Sequence, residues 1–178
     1  MEKNITKTGE QKQSYILFSL AGEFFTINVK YVLRVLEAIS FTRVPQGPSF
    51  LKGVINFNGS VLPVVDTYLK FGLRAKEDFN KSLILVLNLK VEGKETTLGI
   101  VVDDSNDVFE VQDADIKPYP AFGNKYNVDY IDGVIERKGL FILILNPEKL
   151  FENEALPDFE NNQFSEGGDT SGKQRHNK

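Results

Sequence analysis

The chain has 178 residues, 41% hydrophobic and 26% charged, with a formal net charge of −4, which is the balance of an ordinary globular fold with room for one domain or two small ones. It has no cysteine, and its single histidine, His176, is the third residue from the C-terminus; disulfides, thiolate chemistry, thiolate-held zinc and the commonest general base and phosphoacceptor are thereby excluded from the ordered part. The sequence pI of about 5.2 lacks the basic surplus with which nucleic-acid binders displace counterions. The longest unbroken apolar run, Leu140 to Leu145, is far too short to span a bilayer, and the N-terminus has no signal-peptide core. The expectation is a cytoplasmic protein without cofactor or metal, with no nucleic-acid partner and no membrane insertion.

Residues 1–13 are polar and aperiodic, and residues 156–178 are rich in Asn, Gly, Ser, Gln and charge, so both are expected to be tails around an ordered region of 14–155. Tyr15 to Leu20, the turn Ala21-Gly22-Glu23 and Phe24 to Val29 predict a hairpin. Val29, Val32, Leu33 and Leu36 fit a helical stripe, which predicts at most a short turn of helix from Val29 to Leu33, with Val35 to Phe41 as strand. Gly53-Val54-Ile55-Asn56-Phe57-Asn58-Gly59 leads into Ser60 to Val65, with Asn58-Gly59 as a tight turn. Asp66 then caps a weak helical turn ending at Phe71. Ser82 to Leu89 and Thr96 to Val102 flank a polar turn at Gly93, a second hairpin. Gly133-Val134-Ile135-Glu136-Arg137-Lys138-Gly139 leads into Leu140 to Leu145, and Asn146 followed by Pro147 predicts a capped helical turn to Phe151.

The two glycine-led blocks match without a gap at a spacing of 80 residues. Upstream, Ile27-Asn28-Val29 and Val35-Leu36-Glu37 match Ile100-Val101-Val102 and Val108-Phe109-Glu110 at a spacing of 73. This marks a duplicated unit with seven extra residues in the second copy, which the Pro- and Gly-punctuated stretch from Lys117 to Asn124 is expected to hold. Short strands joined by tight turns predict an all-β sandwich or barrel. At 60 to 70 residues, a single copy buries a thin core. Two lobes sharing apolar surface, with a groove between them, follow.

The order Phe18-Ser19-Leu20-Ala21-Gly22-Glu23-Phe24-Phe25-Thr26-Ile27, Thr42-Arg43-Val44-Pro45, Pro48 to Gly59 and Pro63-Val64-Val65-Asp66 resembles the CheW family of chemotaxis coupling proteins. Leu98-Gly99-Ile100-Val101-Val102-Asp103 and Asp115-Ile116-Lys117-Pro118 resemble its second half. The resemblance implies two tandem five-stranded β-barrels with short helical turns, and an adaptor without catalytic activity. It implies binding to the regulatory domain of the histidine kinase CheA and, through the groove between barrels, to the cytoplasmic hairpin tip of chemoreceptors. Recruitment to membrane-associated receptor arrays follows, as does a stand-alone coupling protein rather than a kinase fragment. An acidic pair of oligonucleotide-binding barrels is the alternative; it needs a basic groove with stacking aromatics, against the acidic pI.

Two positions depart from the family pattern. The family's Asn-Leu-Arg-Gly motif has Asn58 in place of its Arg, and the position that usually carries a facing Glu is Arg34. The resemblance places the receptor-groove residues at Val32, Arg34, Gly53, Asn56, Phe57 and Asn58. Gly53 also has a backbone reading, since Gly133 repeats it. Phe57 is either an exposed anchor or packs beneath the turn. Asp66 reads as a cap because its counterpart Asn146 has no acid chemistry. Asp103, Asp104 and Asp107 lack the frame of a calcium loop and read as a solvated strand end, and Arg43, Lys52 and Lys70 read as solvating charges.

Overall fold

The structure, a computed structural model, describes residues 11–37, 40–120 and 125–157. Ten strands and two short helices follow in the order β1 (Lys12–Leu20), β2 (Glu23–Asn28), β3 (Val32–Glu37), β4 (Leu51–Phe57), β5 (Ser60–Val65), α1 (Thr67–Lys70), β6 (Leu83–Val91), β7 (Lys94–Val102), β8 (Asp104–Gln112), β9 (Ile131–Arg137), β10 (Leu140–Leu145) and α2 (Pro147–Phe151). The helical turn expected near Val29 is a single 3-10 turn, Val29–Tyr31. Both caps form as expected: the Asp66 carboxylate accepts from the Leu69 N–H at 3.3 Å, and the Asn146 side-chain carbonyl accepts from the Lys149 N–H at 3.1 Å.

The strands form two five-stranded sheets, ordered β8-β1-β2-β10-β9 and β3-β6-β7-β5-β4. The all-β expectation therefore holds, but the boundary between repeats is not the boundary between sheets. Replacing β1 to β5 by β6 to β10, and the reverse, converts one sheet order into the other. Each copy supplies its first two strands to one sheet and its last three to the other, so the halves are exchanged rather than tandem. Register supports this: Ile144 lies beside Thr26 in one parallel pair and Val64 beside Gly99 in the other. These are equivalent positions at the spacings of 80 and 73.

Each sheet curls until its edges approach. One bridge closes each edge, Thr42 to Val54 in the first copy and Lys117 to Val134 in the second. These bridges also locate the insertion. Two of its seven residues precede Lys117, around the 3-10 turn Asp113–Asp115, and five follow; of the stretch expected to hold all seven, Ala121 to Asn124 lies outside the described residues.

Apolar side chains divide into three clusters. Barrel 1, the sheet containing β1, encloses Tyr15, Phe109, Val111, Ile135, Ile142 and Ile144. Barrel 2, containing β3, encloses Ile55, Leu62, Val64, Phe79, Ile84, Val86 and Val101. The largest cluster lies between them and joins Phe18, Leu20, Phe25 and Ile27 of barrel 1 to Leu85, Leu87, Leu98 and Ile100 of barrel 2. Consecutive β6 residues, Ile84 and Leu85, are fully buried on opposite faces, one inside barrel 2 and one between barrels, which explains why β6 reads as a continuous apolar run. Because the main core is the joint, neither barrel has a core of its own comparable in size.

Candidate partner-binding site

The predicted groove residues fall on β3 and the β4-β5 hairpin, the two edges of the barrel 2 sheet. The structure brings Arg34 and Phe57 together: the guanidinium carbon lies 5.8 Å from the ring centroid. Phe57 is half-buried and packs against the barrel 2 interior. It therefore packs under the turn and supports Arg34 from below, instead of standing free.

Alternation along β3 would put Val32 and Arg34 on one face. A bulge between them breaks that parity: Val32 pairs with Leu87, whereas Arg34 pairs with Val86. Residues directly opposite in an antiparallel pair share a face, so Val32 and Val35, the latter opposite Leu85, lie on the side of the inter-barrel core. Arg34 and Leu36 lie on the mouth side of barrel 2. Leu33, left over at the bulge, is 55% exposed, and Val35 is 39% exposed.

Gly53, Asn56 and Asn58 hold the backbone in shape. A Cβ on Gly53 would lie 2.5 Å from the Thr42 carbonyl oxygen, and one on Gly133 would lie 2.5 Å from Ile116 Cγ2 and 2.9 Å from the Lys117 oxygen. Both glycines sit where a bridge draws another backbone onto the strand. The Asn56 side-chain oxygen accepts from the Gly59 N–H at 2.9 Å. Asn58 (φ 52°) and Gly59 (φ 82°) form the two-residue turn, and Asn tolerates that left-handed conformation better than most residues. The change of charge at Asn58 thus also suits the turn.

Barrel 1 shows the same three mouth positions filled differently. Arg34, Leu36 and Phe57 correspond to Asp107, Phe109 and Arg137 by the repeat spacing. Arg137 lies 4.2 Å from the Phe109 centroid and 3.8 Å from an Asp107 carboxylate oxygen. Each mouth stacks an Arg on a Phe, but among the described residues only that of barrel 1 adds an internal carboxylate. Beside it runs a cleft of about 900 Å³ lined by residues of β8 and β9, including Val108, Phe109, Ile135 and Arg137.

Three charged groups depart from the sequence reading. Asp103 is not a solvated strand end: its carboxylate accepts from the Ala21 N–H at 2.8 Å, the Tyr68 hydroxyl at 2.5 Å and the Lys76 ammonium at 2.5 Å. Lys76 also donates to Ser82 at 2.9 Å. Burial alone would raise the Asp103 pKa, but these donors outweigh it and hold it below the usual carboxylate value. Tyr68, partly buried and bound to that carboxylate, is pushed up to about 12. No pattern marks Lys76, since a lysine 27 residues from its partner in a polar loop looks like any solvated charge.

Lys70 is the second correction. Its side chain is 6% exposed and pairs with Glu154, with the ammonium 5.0 to 5.9 Å from the ring centroids of Phe50, Tyr130 and Phe151. The equivalent position in the second copy is buried Leu150. Lys52 likewise stacks over Phe79, at 4.0 Å.

The family model for the CheW-like domain matches residues 14–155. The chain is similar to the chemotaxis protein CheW of Rhizobium meliloti, with 28% identity over 85% of this chain and 94% of the relative. It is also similar to the protein FrzA of Myxococcus xanthus, with 28% identity over 85% and 92%. The crystal structure of the scaffolding protein TtCheW from Thermoanaerobacter tengcongensis superposes with a TM-score of 0.70 at 25% identity, covering 83% of this chain and 93% of that one. Among the described residues no helix is long and apolar enough to cross a membrane. The interleaved barrels, the paired caps and a family match over nearly the whole described region agree: the chain belongs to the CheW-like family of non-enzymatic chemotaxis scaffold and adaptor proteins.

Proposed function

We propose that this adaptor couples the cytoplasmic tip of chemoreceptors to the regulatory domain of a CheA-type histidine kinase, acting in the cytoplasm at receptor arrays. The observation that carries the reading is exposure of apolar side chains on both barrels. Leu33 and Val35 are exposed on β3 of barrel 2; in barrel 1, Val108 on β8, the repeat counterpart of Val35, is exposed, and so are Leu140 and Phe141 on β10. One rim per barrel is the least an adaptor needs to hold two partners at once, and exposed apolar side chains grouped with charge are what interfaces use.

On this reading the receptor tip meets the β3 side, where Val32 and Val35 border the joint between barrels and Arg34, Phe57 and the Asn56-Phe57-Asn58 turn form the adjoining mouth. The two departures from the family pattern, Arg34 and Asn58, then alter which tip is accepted rather than whether the protein folds. Size-exclusion chromatography of the chain with a CheA regulatory domain and a receptor tip fragment tests it. A three-component peak is expected, and Val35→Asp should remove the tip fragment while the kinase domain stays bound. A wild-type chain that carries neither component refutes the reading.

A further inference from the structure

The two mouths are built on one plan, and only one is electrostatically complete. In barrel 1 the arginine, Arg137, is held by the Phe109 ring and by Asp107 of the same chain. In barrel 2 the arginine has moved to the edge strand as Arg34, the ring is Phe57, and the third position is Leu36, which turns into the barrel interior. No carboxylate of the described residues lies within 4 Å of the Arg34 guanidinium in an ion pair. The Arg34 side chain is exposed and supported on an aromatic face, and its exposed chain neighbours are Leu33 at the bulge and Val35 on the opposite, inter-barrel face of the edge strand.

From this asymmetry we infer that Arg34 is a specificity residue that takes a carboxylate from the partner, supplying in trans what Asp107 supplies to Arg137 in cis. The partner is a protein segment that straddles the β3 edge, presenting an Asp or Glu to Arg34 on the mouth side and apolar side chains to Val35 on the inter-barrel side and to Leu33 at the bulge. The inference rests on the receptor-coupling reading above and narrows it to the charge of the tip. The physics favours it on three counts. A guanidinium stacked on a ring gives up little rotational freedom when it binds, and its planar fork matches a carboxylate in two places. In solution the unpaired cation is hydrated at no cost to folding. At a covered interface, by contrast, a guanidinium with no acid opposite would be stripped of water uncompensated, so a basic or neutral tip is rejected as well as an acidic one accepted.

The test is titration calorimetry of a chemoreceptor tip fragment against wild type, Arg34→Gln, Arg34→Glu and Val35→Asp at several salt concentrations, with melting curves to show that each variant folds. A second set of tip fragments carries each acidic residue singly changed to Lys. The inference expects Arg34→Gln to bind about tenfold or more weakly with a flatter salt dependence. It expects Arg34→Glu to lose the wild-type tip and regain one Lys-substituted tip. Arg34→Gln binding as wild type does, or no Lys substitution restoring Arg34→Glu, overturns it. If that happens while Val35→Asp still abolishes binding, the receptor reading stands and only the carboxylate falls; if Val35→Asp is also silent, both fall.

Discussion

The first and second copies of the repeat keep the same backbone and spend their side chains differently. Both have a glycine where a bridging backbone crosses, a bulge one residue further out, a left-handed X-Gly turn and an Asx-capped helix. At the mouths, Asp107, Phe109 and Arg137 satisfy one another, whereas Arg34 and Phe57 leave a cation facing outward. Near the joint, buried Leu150 in one copy corresponds to a buried, paired Lys70 in the other. Features shared by the copies are those the fold needs, and features that differ are where stability was not the deciding criterion.

The largest effect should come from breaking a shared feature. Gly53→Ala drives a Cβ into a carbonyl oxygen at a positive φ of 155° and is expected to cost about 3–4 kcal/mol. Gly133→Ala meets the yielding end of the Ile116 side chain and, at 2.9 Å, the Lys117 oxygen, a looser backbone approach than the 2.5 Å at Gly53, so about 2 kcal/mol is expected. Urea denaturation of the pair measures the difference; equal losses would mean that the two crossings are equally rigid.

Next comes the hub that only one copy has. Asp103→Asn weakens the tie among the β1-β2 turn, α1 and the loop before β6, with an expected loss of about 2 kcal/mol. Because the folded pKa of Asp103 lies below its unfolded value, its contribution is present above about pH 4 and fades as pH falls through the folded value. Tyr68 has the opposite sign: raised to about 12, it contributes fully below about pH 10 and less as pH rises towards 12. Melting temperature against pH should therefore fall at both ends in wild type, and less steeply at both in Asp103→Asn.

Lys70 sharpens the comparison at the joint. Glu154→Gln leaves a buried ammonium with only aromatic faces and should cost about 1–2 kcal/mol, discounted because Glu154 is a third exposed. Lys70→Leu restores the residue of the second copy and should be neutral or stabilising by about 1 kcal/mol. Strong destabilisation by Lys70→Leu would show that the cation shapes the joint. The smallest folding effect belongs to Arg34→Glu, within about 0.5 kcal/mol, although its effect on binding is expected to be the largest of the set.

Strands, turns and caps were legible because each carries local chemistry: alternating or continuous apolar runs, Asn58-Gly59, and Asp66 or Asn146 three residues before the N–H it binds. The duplication was legible as well, but not the exchange of strands, since sequence spacing cannot say which copy's β-strand a strand will pair with. At the candidate site, Arg34 and Phe57 were identified singly. Their contact was not, because it depends on the sheet curling until its edges meet. The bulge at Leu33, which puts Val32 and Arg34 on opposite faces, leaves no mark in composition. Lys70 and Asp103 look solvated in the sequence for one reason: the groups that bury and pair them come from 84 and 82 positions away.

Barrel 2 is proposed to choose a partner at the mouth positions where barrel 1 satisfies itself. Transplanting the barrel 1 set as Arg34→Asp/Leu36→Phe/Phe57→Arg tests it most directly, read by affinity for a chemoreceptor tip fragment alongside the melting temperature. The variant is expected to fold with a self-paired mouth and to lose tip binding, with kinase-domain binding unchanged. A folded variant that binds the tip as wild type does would contradict it.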